Sequence, residues 1–450
     1  MMNVFRGILL LCLLKGIAVL AFAQTTESFD FNFLRQQDNL YFLKGKENKN
    51  LYEKWKFLSL GEKSAVSWGG SLRSQYEHFI NEDFDNVQDK YQGWYLQRML
   101  FHTDWRIDKW QFFAELNNSL ISGKPILTPV DKDELSFNQL FLAYHGENMT
   151  FKLGRENLNI GSRRLIDLRE GPNVRRSFDH VGMTFHRNNY QLHLLYGIPV
   201  NIKEGIFDNE ALHDDEALWG AYMSHKFASN YNFDIYYLGF KADNKQYETG
   251  VGRERRHSLG VRFWGEKDNW QMDNEFVFQL GGFMDQSINA WTISFKIENH
   301  YTPHQHFGLK TELISGDKNP NDSKLGTFNP LYPRGAYFGR VARFGPSNLI
   351  DIHPYWVKSF GDLSIMLDYV AFWRFSKDDA IYGPAVTYDF PDESETRWMA
   401  HQIGALLTYE PSSFLTLELE TNHIVPGSFL RETMGDDNLF HLVITVDIRF

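Results

Sequence analysis

Cysteine is almost missing from this sequence: among 450 residues there is one, Cys12. It falls in a stretch read as a signal peptide, Met1 to Ala23. Arg6 supplies a positive start, "GILLLCLLKGIAVL" is the apolar stretch, and Ala21-Phe22-Ala23 before Gln24 is an A-x-A-like cleavage site. Lys15 interrupts the apolar run, which argues against a membrane anchor, and "LLLC" lacks the small residue that a lipoprotein signal places before its cysteine. The exported chain is then expected to carry no thiol, which excludes a disulfide scaffold and metal sites built on thiolates. Long apolar runs are also missing. Beyond Ala23 no stretch reaches about 18 apolar residues, so no membrane-spanning helix is encoded. Helical periodicity is scarce, with "NLYEKWKFL" the one candidate. Positive charge is in deficit: the net charge of −11 argues against nucleic acid as the main partner, while leaving room for a local basic patch. No P-loop, zinc motif or Gly-x-Ser-x-Gly sequence occurs, and no cofactor is expected.

What the sequence does have is alternation. Hydrophobic residues make up 43% and aromatics 16%, yet mean hydropathy is −0.41. A transmembrane β-barrel has this profile, because lipid-facing and lumen-facing side chains cancel in any hydropathy window. In "WQMDNEFVFQL", Trp270, Met272, Phe276, Phe278 and Leu280 oppose Gln271, Asp273, Glu275 and Gln279. In "FLTLELETN", Leu415, Leu417 and Leu419 oppose Thr416, Glu418, Glu420 and Asn422. Such segments are about ten residues long, the length a tilted strand needs to cross a bilayer. About eighteen of them can be counted, beginning near Val66, Trp94, Trp110, Leu135, Met149, Val181, Tyr190, Trp219, Tyr231, His257, Trp270, Ala290, His306, Leu349, Asp362, His401, Phe414 and Asn438. The expected fold is all-β: a transmembrane antiparallel β-barrel over residues 64–450. Residues 24–63 form an extension, either periplasmic or lumenal.

Loop lengths sharpen this expectation. Short connections ("DK" at Asp108, "RNN" at Arg187, "EKDN" at Glu266, "FGD" at Phe360, "EPSS" at Glu410) alternate with longer ones near residues 80–93, 122–134, 161–180, 197–217, 241–255, 315–347, 376–399 and 423–437. Outer-membrane barrels have short periplasmic turns and long outside loops, whereas a soluble sandwich has no reason to sort loops by end. The last segment, "NLFHLVITVDIRF", alternates up to Phe450. Such a strand is suited to pair with the first and close the sheet, and its terminal aromatic looks like the signal that outer-membrane barrels present to their assembly machinery. The location implied is the outer membrane of a Gram-negative bacterium.

The candidate chemistry sits in arginines. "GRENLNIGSRRLIDLREGPNVRRSF" holds Arg155, Arg163, Arg164, Arg169, Arg175 and Arg176, partly on a strand and partly on a long loop of the kind that folds into a pore. Arg73, Arg98, Arg262, Lys296, Lys310 and Arg374 fall on expected lumen faces. Basic side chains around a lumen select anions, and guanidinium forks fit carboxylates in two-point fashion. The plainer reading pairs these cations with lumen Asp and Glu such as Glu115, Asp273, Glu275, Glu312 and Glu418, because a desolvated charge needs a partner.

Three stretches then resemble the alginate-export family of outer-membrane barrels: "LGRENLNIGSRRLIDLREGPNVRRSFDHVGMTF", "SGDKNPNDSKLGTFNPLYPRGAYFG" and "GGSLRSQYE". The resemblance covers roughly residues 66–450. It implies an eighteen-stranded monomeric barrel whose electropositive constriction passes an anionic uronate polysaccharide. By position, Arg73, Arg98, Arg155, Arg163, Arg164, Arg175 and Arg176 map onto that constriction. One departure stands out: the family usually places Gln after the Gly-Arg pair, and here it is Glu156, a carboxylate able to pair with Arg155 and weaken the anion field.

Two other constellations are weaker. "DKNPND" sets Asp317, Asn319, Asn321 and Asp322 at calcium-loop spacing, without the turn glycine and closing glutamate of an EF-hand. Asp351 and His353 share a strand face with no nucleophile beside them in sequence. The functional expectation is therefore a passive channel, not an enzyme, for an anionic oligo- or polysaccharide, embedded in outer-membrane lipid. The alternatives are a barrel enzyme or adhesin with a plugged lumen, or a general anion-selective porin for small solutes.

Overall fold

In a computed structural model, residues 29, 31–85, 91–384, 386–390 and 394–450 are described. The signal peptide expected at Met1–Ala23 lies outside them. Alternating segments become strands wherever the sequence changes environment at every second residue. Eighteen of them form the wall. The first nine are β1 (Ser64–Ile80), β2 (Tyr91–Ile107), β3 (Trp110–Ser122), β4 (Asp133–His145), β5 (Met149–Glu156), β6 (Phe178–Arg187), β7 (Tyr190–Pro199), β8 (Glu216–Ala228) and β9 (Tyr231–Tyr247). The rest are β10 (Gly250–Lys267), β11 (Trp270–Phe283), β12 (Gln286–Thr302), β13 (Gln305–Ile314), β14 (Leu349–Phe360), β15 (Leu363–Arg374), β16 (Trp398–Ser412), β17 (Leu415–Pro426) and β18 (Leu439–Arg449). Each pairs antiparallel with the next. β18 pairs back onto β1, from Ser71 opposite Arg449 to Ile80 opposite Phe440, so the sheet closes and has no free edge.

The turns at one end are tight because their residues permit it. Asp108, Asn188 and Asp268 adopt left-handed φ of 52°, 52° and 54° in connections two residues long. Asp and Asn tolerate that conformation, and hairpin turns matching the strand twist require it. Most connections at the opposite end are long. Two are not. β9 and β10 run on for 17 and 18 residues and meet through Glu248 and Thr249, so the loop expected at 241–255 is mostly strand. The connection after β11 shrinks to Met284 and Asp285.

Burial is inverted relative to a water-soluble protein. Leu142, Leu153, Leu259, Phe276, Ile293, Ile352, Leu367, Leu419 and Ile444 are exposed on the outer face. Gln75, His102, Glu115, Gln139, Arg256, Gln279, Glu312, Gln402, Asn422 and Thr445 are buried on the inner one. An apolar belt outside and a polar lining inside is what a bilayer demands. Two long loops, 157–177 and 315–348, turn inward and build a second, apolar core within the barrel. There Leu158, Leu165, Ile166, Phe328, Leu331, Tyr332, Tyr337 and Phe338 pack with wall residues Tyr222, Tyr236, Phe240 and Phe372. The described residues before β1 close the short-turn end. Helix α1 (Leu51–Lys56) is capped by Asn50 and Glu53, and Phe29, Leu40, Leu43, Tyr52 and Phe57 pack on Phe414 beside Phe450.

Candidate functional site

The inward loop 157–177 is bent by its own polar groups. Asn159 Oδ1 accepts from the Leu168 amide at 2.9 Å, Asp167 Oδ1 accepts from the Arg169 amide at 2.6 Å, and Arg163 and Arg169 both sit at a φ of 63°. The loop pairs with the second inward loop through main-chain bonds, Asp167 N–H to the Tyr332 carbonyl and Tyr332 N–H to the Leu165 carbonyl, each 2.9 Å.

Charge fixes the two flanks of this loop to opposite walls. Arg164 reaches Glu312 at 2.8 Å and Glu275 at 3.1 Å, on β13 and β11. On the other flank Glu170 gathers Arg98 of β2, Arg175 of the loop and, at 4.0 Å, Arg73 of β1. Arg73 also donates to the main-chain oxygens of Glu170 and Pro172, both at 2.8 Å. β2 and β11 lie half-way round the eighteen-strand ring from each other, so the loop crosses the lumen. Burial opposes the Glu170 charge, but the guanidiniums of Arg175, Arg98 and Arg73 outweigh it and hold that carboxyl well below the usual carboxylate range. Next to this cluster is a cavity of about 490 Å³, where Arg73, Arg175, Arg340, Arg449 and Arg35 face Glu115, Glu170, Glu418 and Asp447.

The remaining sequence candidates are dispersed. Arg163 pairs with Asp167 at 3.3 Å and keeps 41% of its side-chain surface open. Arg262 grips Asp273 through two bonds of 2.8 and 2.7 Å and touches Asp234 at 3.2 Å. Lys296 lies 3.0 Å from Glu298, and Lys310 lies over the Tyr355 ring. Arg176 stacks over Tyr332, and Arg169 donates to the Val174 carbonyl at 3.4 Å. Burial, reinforced by Arg176, pushes the Arg169 guanidinium well below its ordinary value.

Three expectations need correction. Arg155 does not line the lumen. Alternation along β5 turns Glu156 inward, so Arg155 points outward and forms a two-point pair with Asp179 at 2.9 and 3.1 Å. Glu156 accordingly pairs with Lys152, not with Arg155. Arg374 is fully buried at the long-loop end and donates to the carbonyls of Thr396, Lys377 and Ser394, so it ties loop to strand instead of facing the pore. Asp317, Asn319 and Asp322 turn their side-chain oxygens back on main-chain amides within the 317–324 turn, a set of Asx-type turns rather than a converging cage, and Asn321 contributes only an amide to it. His353 hydrogen-bonds Asp368 across the lumen wall at 2.8 Å. Sequence reading missed Arg340, whose guanidinium bonds Thr445 and Glu418 and whose amide bonds Glu420; "PRGAYFGRVARF" was its signal. It missed Glu170 as the hub and Arg35 as a lumen cation, and nothing local marks either.

A family model described as alginate export matches residues 64–441. No curated protein matches the sequence. Among solved structures, Pseudomonas aeruginosa OccK11 (OpdR) is 14% identical with a TM-score of 0.55, over 86% of this chain and 96% of that one. P. aeruginosa OpdO is 11% identical at a TM-score of 0.60, over 86% and 97%. Acinetobacter baumannii OccAB1 is 14% identical at 0.58, over 86% and 97%.

Proposed function

The chain belongs to the alginate export family and is a Gram-negative outer-membrane channel, and from that premise we propose that it passes an anionic oligo- or polysaccharide of the uronate class by passive diffusion. One observation carries this reading: three guanidiniums, of Arg73, Arg98 and Arg175, share a single carboxylate, Glu170, at the edge of the cavity that Arg340 also faces. A carboxylate entering there meets forked donors, in competition with the resident Glu115, Glu170, Glu418 and Asp447. These guanidiniums are buried and already paired, so a guest is held in competition with their resident partners, which suits release. Arg163, Arg164 and Arg176 belong to the same inward loop and shape the passage, while Arg262, Lys296 and Lys310 line the wall. The relatives' family is one of transport, and no enzymatic step is assigned. The test is planar-bilayer recording with purified protein. Anion preference together with reversible block by uronate oligomers supports the reading; clear cation preference without block ends it. Anion preference without block favours a general anion-selective porin.

A further inference from the structure

The residues ahead of α1 do more than cap the barrel. Between Phe31 and Leu40, which both pack in the rim cluster, the chain dips into the lumen. The Gln36 carbonyl accepts from Arg106 of β2 and Gln111 of β3, both at 3.0 Å. Its side chain reaches Gln139 of β4 at 3.3 Å and Glu156 of β5 at 3.5 Å, and the residue is 4% exposed. The Asp38 carbonyl takes a second bond from Arg106, at 2.9 Å. The Phe33 ring lies 5.5 Å from the Arg163 guanidinium and 5.7 Å from that of Arg175, covering faces of two arginines of the inward loop. Arg35 bonds the main-chain oxygens of Gly70 and Phe450.

Three cavities surround this segment, of about 450, 490 and 530 Å³. Leu34 and Gln37 line the first, Phe31 to Phe33 and Arg35 the second, and Gln36, Gln37 and Tyr41 the third. The segment is thus the partition between them. The groups it occupies (guanidinium forks, primary amides and one carboxylate) are those that would bind the carboxylates and hydroxyls of an acidic sugar chain.

We propose that residues 31–38 are an internal plug seated in a cargo-binding groove, and that an acidic saccharide chain and this segment compete for Arg106, Gln111, Gln139, Arg163 and Arg175. Its cargo class rests on the reading under Proposed function. Both ends of the segment are held by the rim cluster, so it leaves as a tethered loop, and its departure merges the three cavities into one passage. Seating it are the polar contacts of Gln36 and Asp38, the Phe33 ring beside two guanidiniums, the Arg35 latch and, at its start, Phe31 against Phe414 at 5.3 Å.

The experiment is a reversible tether. In the full-length protein, Gln36→Cys and Gln139→Cys are bridged by a disulfide-containing bismaleimide, with the bridge confirmed by intact mass, and conductance is recorded before and after reduction. Cleavage is expected to raise single-channel conductance at least two-fold, with block by oligouronates appearing only in the cleaved state. Identical conductance and block in both states overturns the plug. A rise in conductance with no oligouronate block in either state keeps the plug and removes the uronate cargo. A second variant, with residues 31–38 replaced by a Gly/Ser linker of equal length, is expected to open as the cleaved channel does; wild-type conductance in that variant also overturns the proposal.

Discussion

Glu170 is the carboxylate that pairs directly with three guanidiniums, those of Arg73, Arg98 and Arg175, and so sets the local field of this cluster. Glu170→Gln keeps the shape and removes the charge. The anion-to-cation permeability ratio, read from the reversal potential in a salt gradient, is expected to rise. An unchanged ratio would place the permeant path elsewhere. Asp379 matters for a different reason. Fully buried in the loop after β15, it accepts from the Asp317 amide at 2.7 Å, Thr327 at 2.6 Å and Tyr382 at 2.7 Å, and so ties two long loops together. Burial, only partly offset by these donors, pushes its carboxyl up to about 7. The folded value lies above that of an unfolded Asp, near 3.9, so the folded state holds the proton more tightly. Stability from this group is therefore present in full below about pH 4 and is lost as pH rises toward 7, with a slope of up to about 1.4 kcal/mol per unit. Protection factors of amides in loop 315–348, corrected for the intrinsic base-catalysed exchange rate, should fall over that window in wild type and stay flat in Asp379→Asn.

The wall strands and the inward loops obey different physics. A strand is specified by alternation, and the outer face can be challenged directly. Leu419, exposed on β17 between Leu407 and Ile444, should cost about 2–4 kcal/mol when changed to Arg, measured by denaturant unfolding from lipid vesicles. A neutral result would mean that lipid does not touch this side. The inward loop is specified by long-range charge instead. Arg164→Ala strands Glu275 and Glu312, both nearly buried, and should cost about 3–5 kcal/mol. It also frees one flank of the crossing loop, so single-channel traces should show more frequent conductance steps than wild type.

For the molecule as a whole, closure is the condition of membrane residence. Hydrocarbon offers no partner to an unpaired strand edge, so a cylinder has to join its ends. β18 supplies that joint to β1 and β17 together. Removing Leu439–Phe450 leaves two open edges, and the truncated chain is expected to vanish from the outer-membrane fraction; normal levels there, with the heat-dependent gel shift of a folded barrel, would contradict closure by this strand.

Much of this architecture was local and therefore legible. Period-two alternation, hairpin turns at Asp108, Asn188 and Asp268, and loops sorted by end place all eighteen strands, because a bilayer imposes the same rule on every crossing. The Arg-rich loop was visible as composition. Its wiring was not. The sharing of Glu170 by arginines of β1, β2 and the loop joins positions up to 97 residues apart, and no sequence period reports such a pairing. Alternation even misled where its phase was misjudged, at Arg155, and Arg374 shows that a lumen-side parity still leaves height along the barrel undetermined. The wall follows from what solvent touches each residue, which neighbours in the chain reveal. The charge cluster at Glu170 and the seat of residues 31–38 follow from which distant groups the closed cylinder brings within reach, and that is decided only in three dimensions.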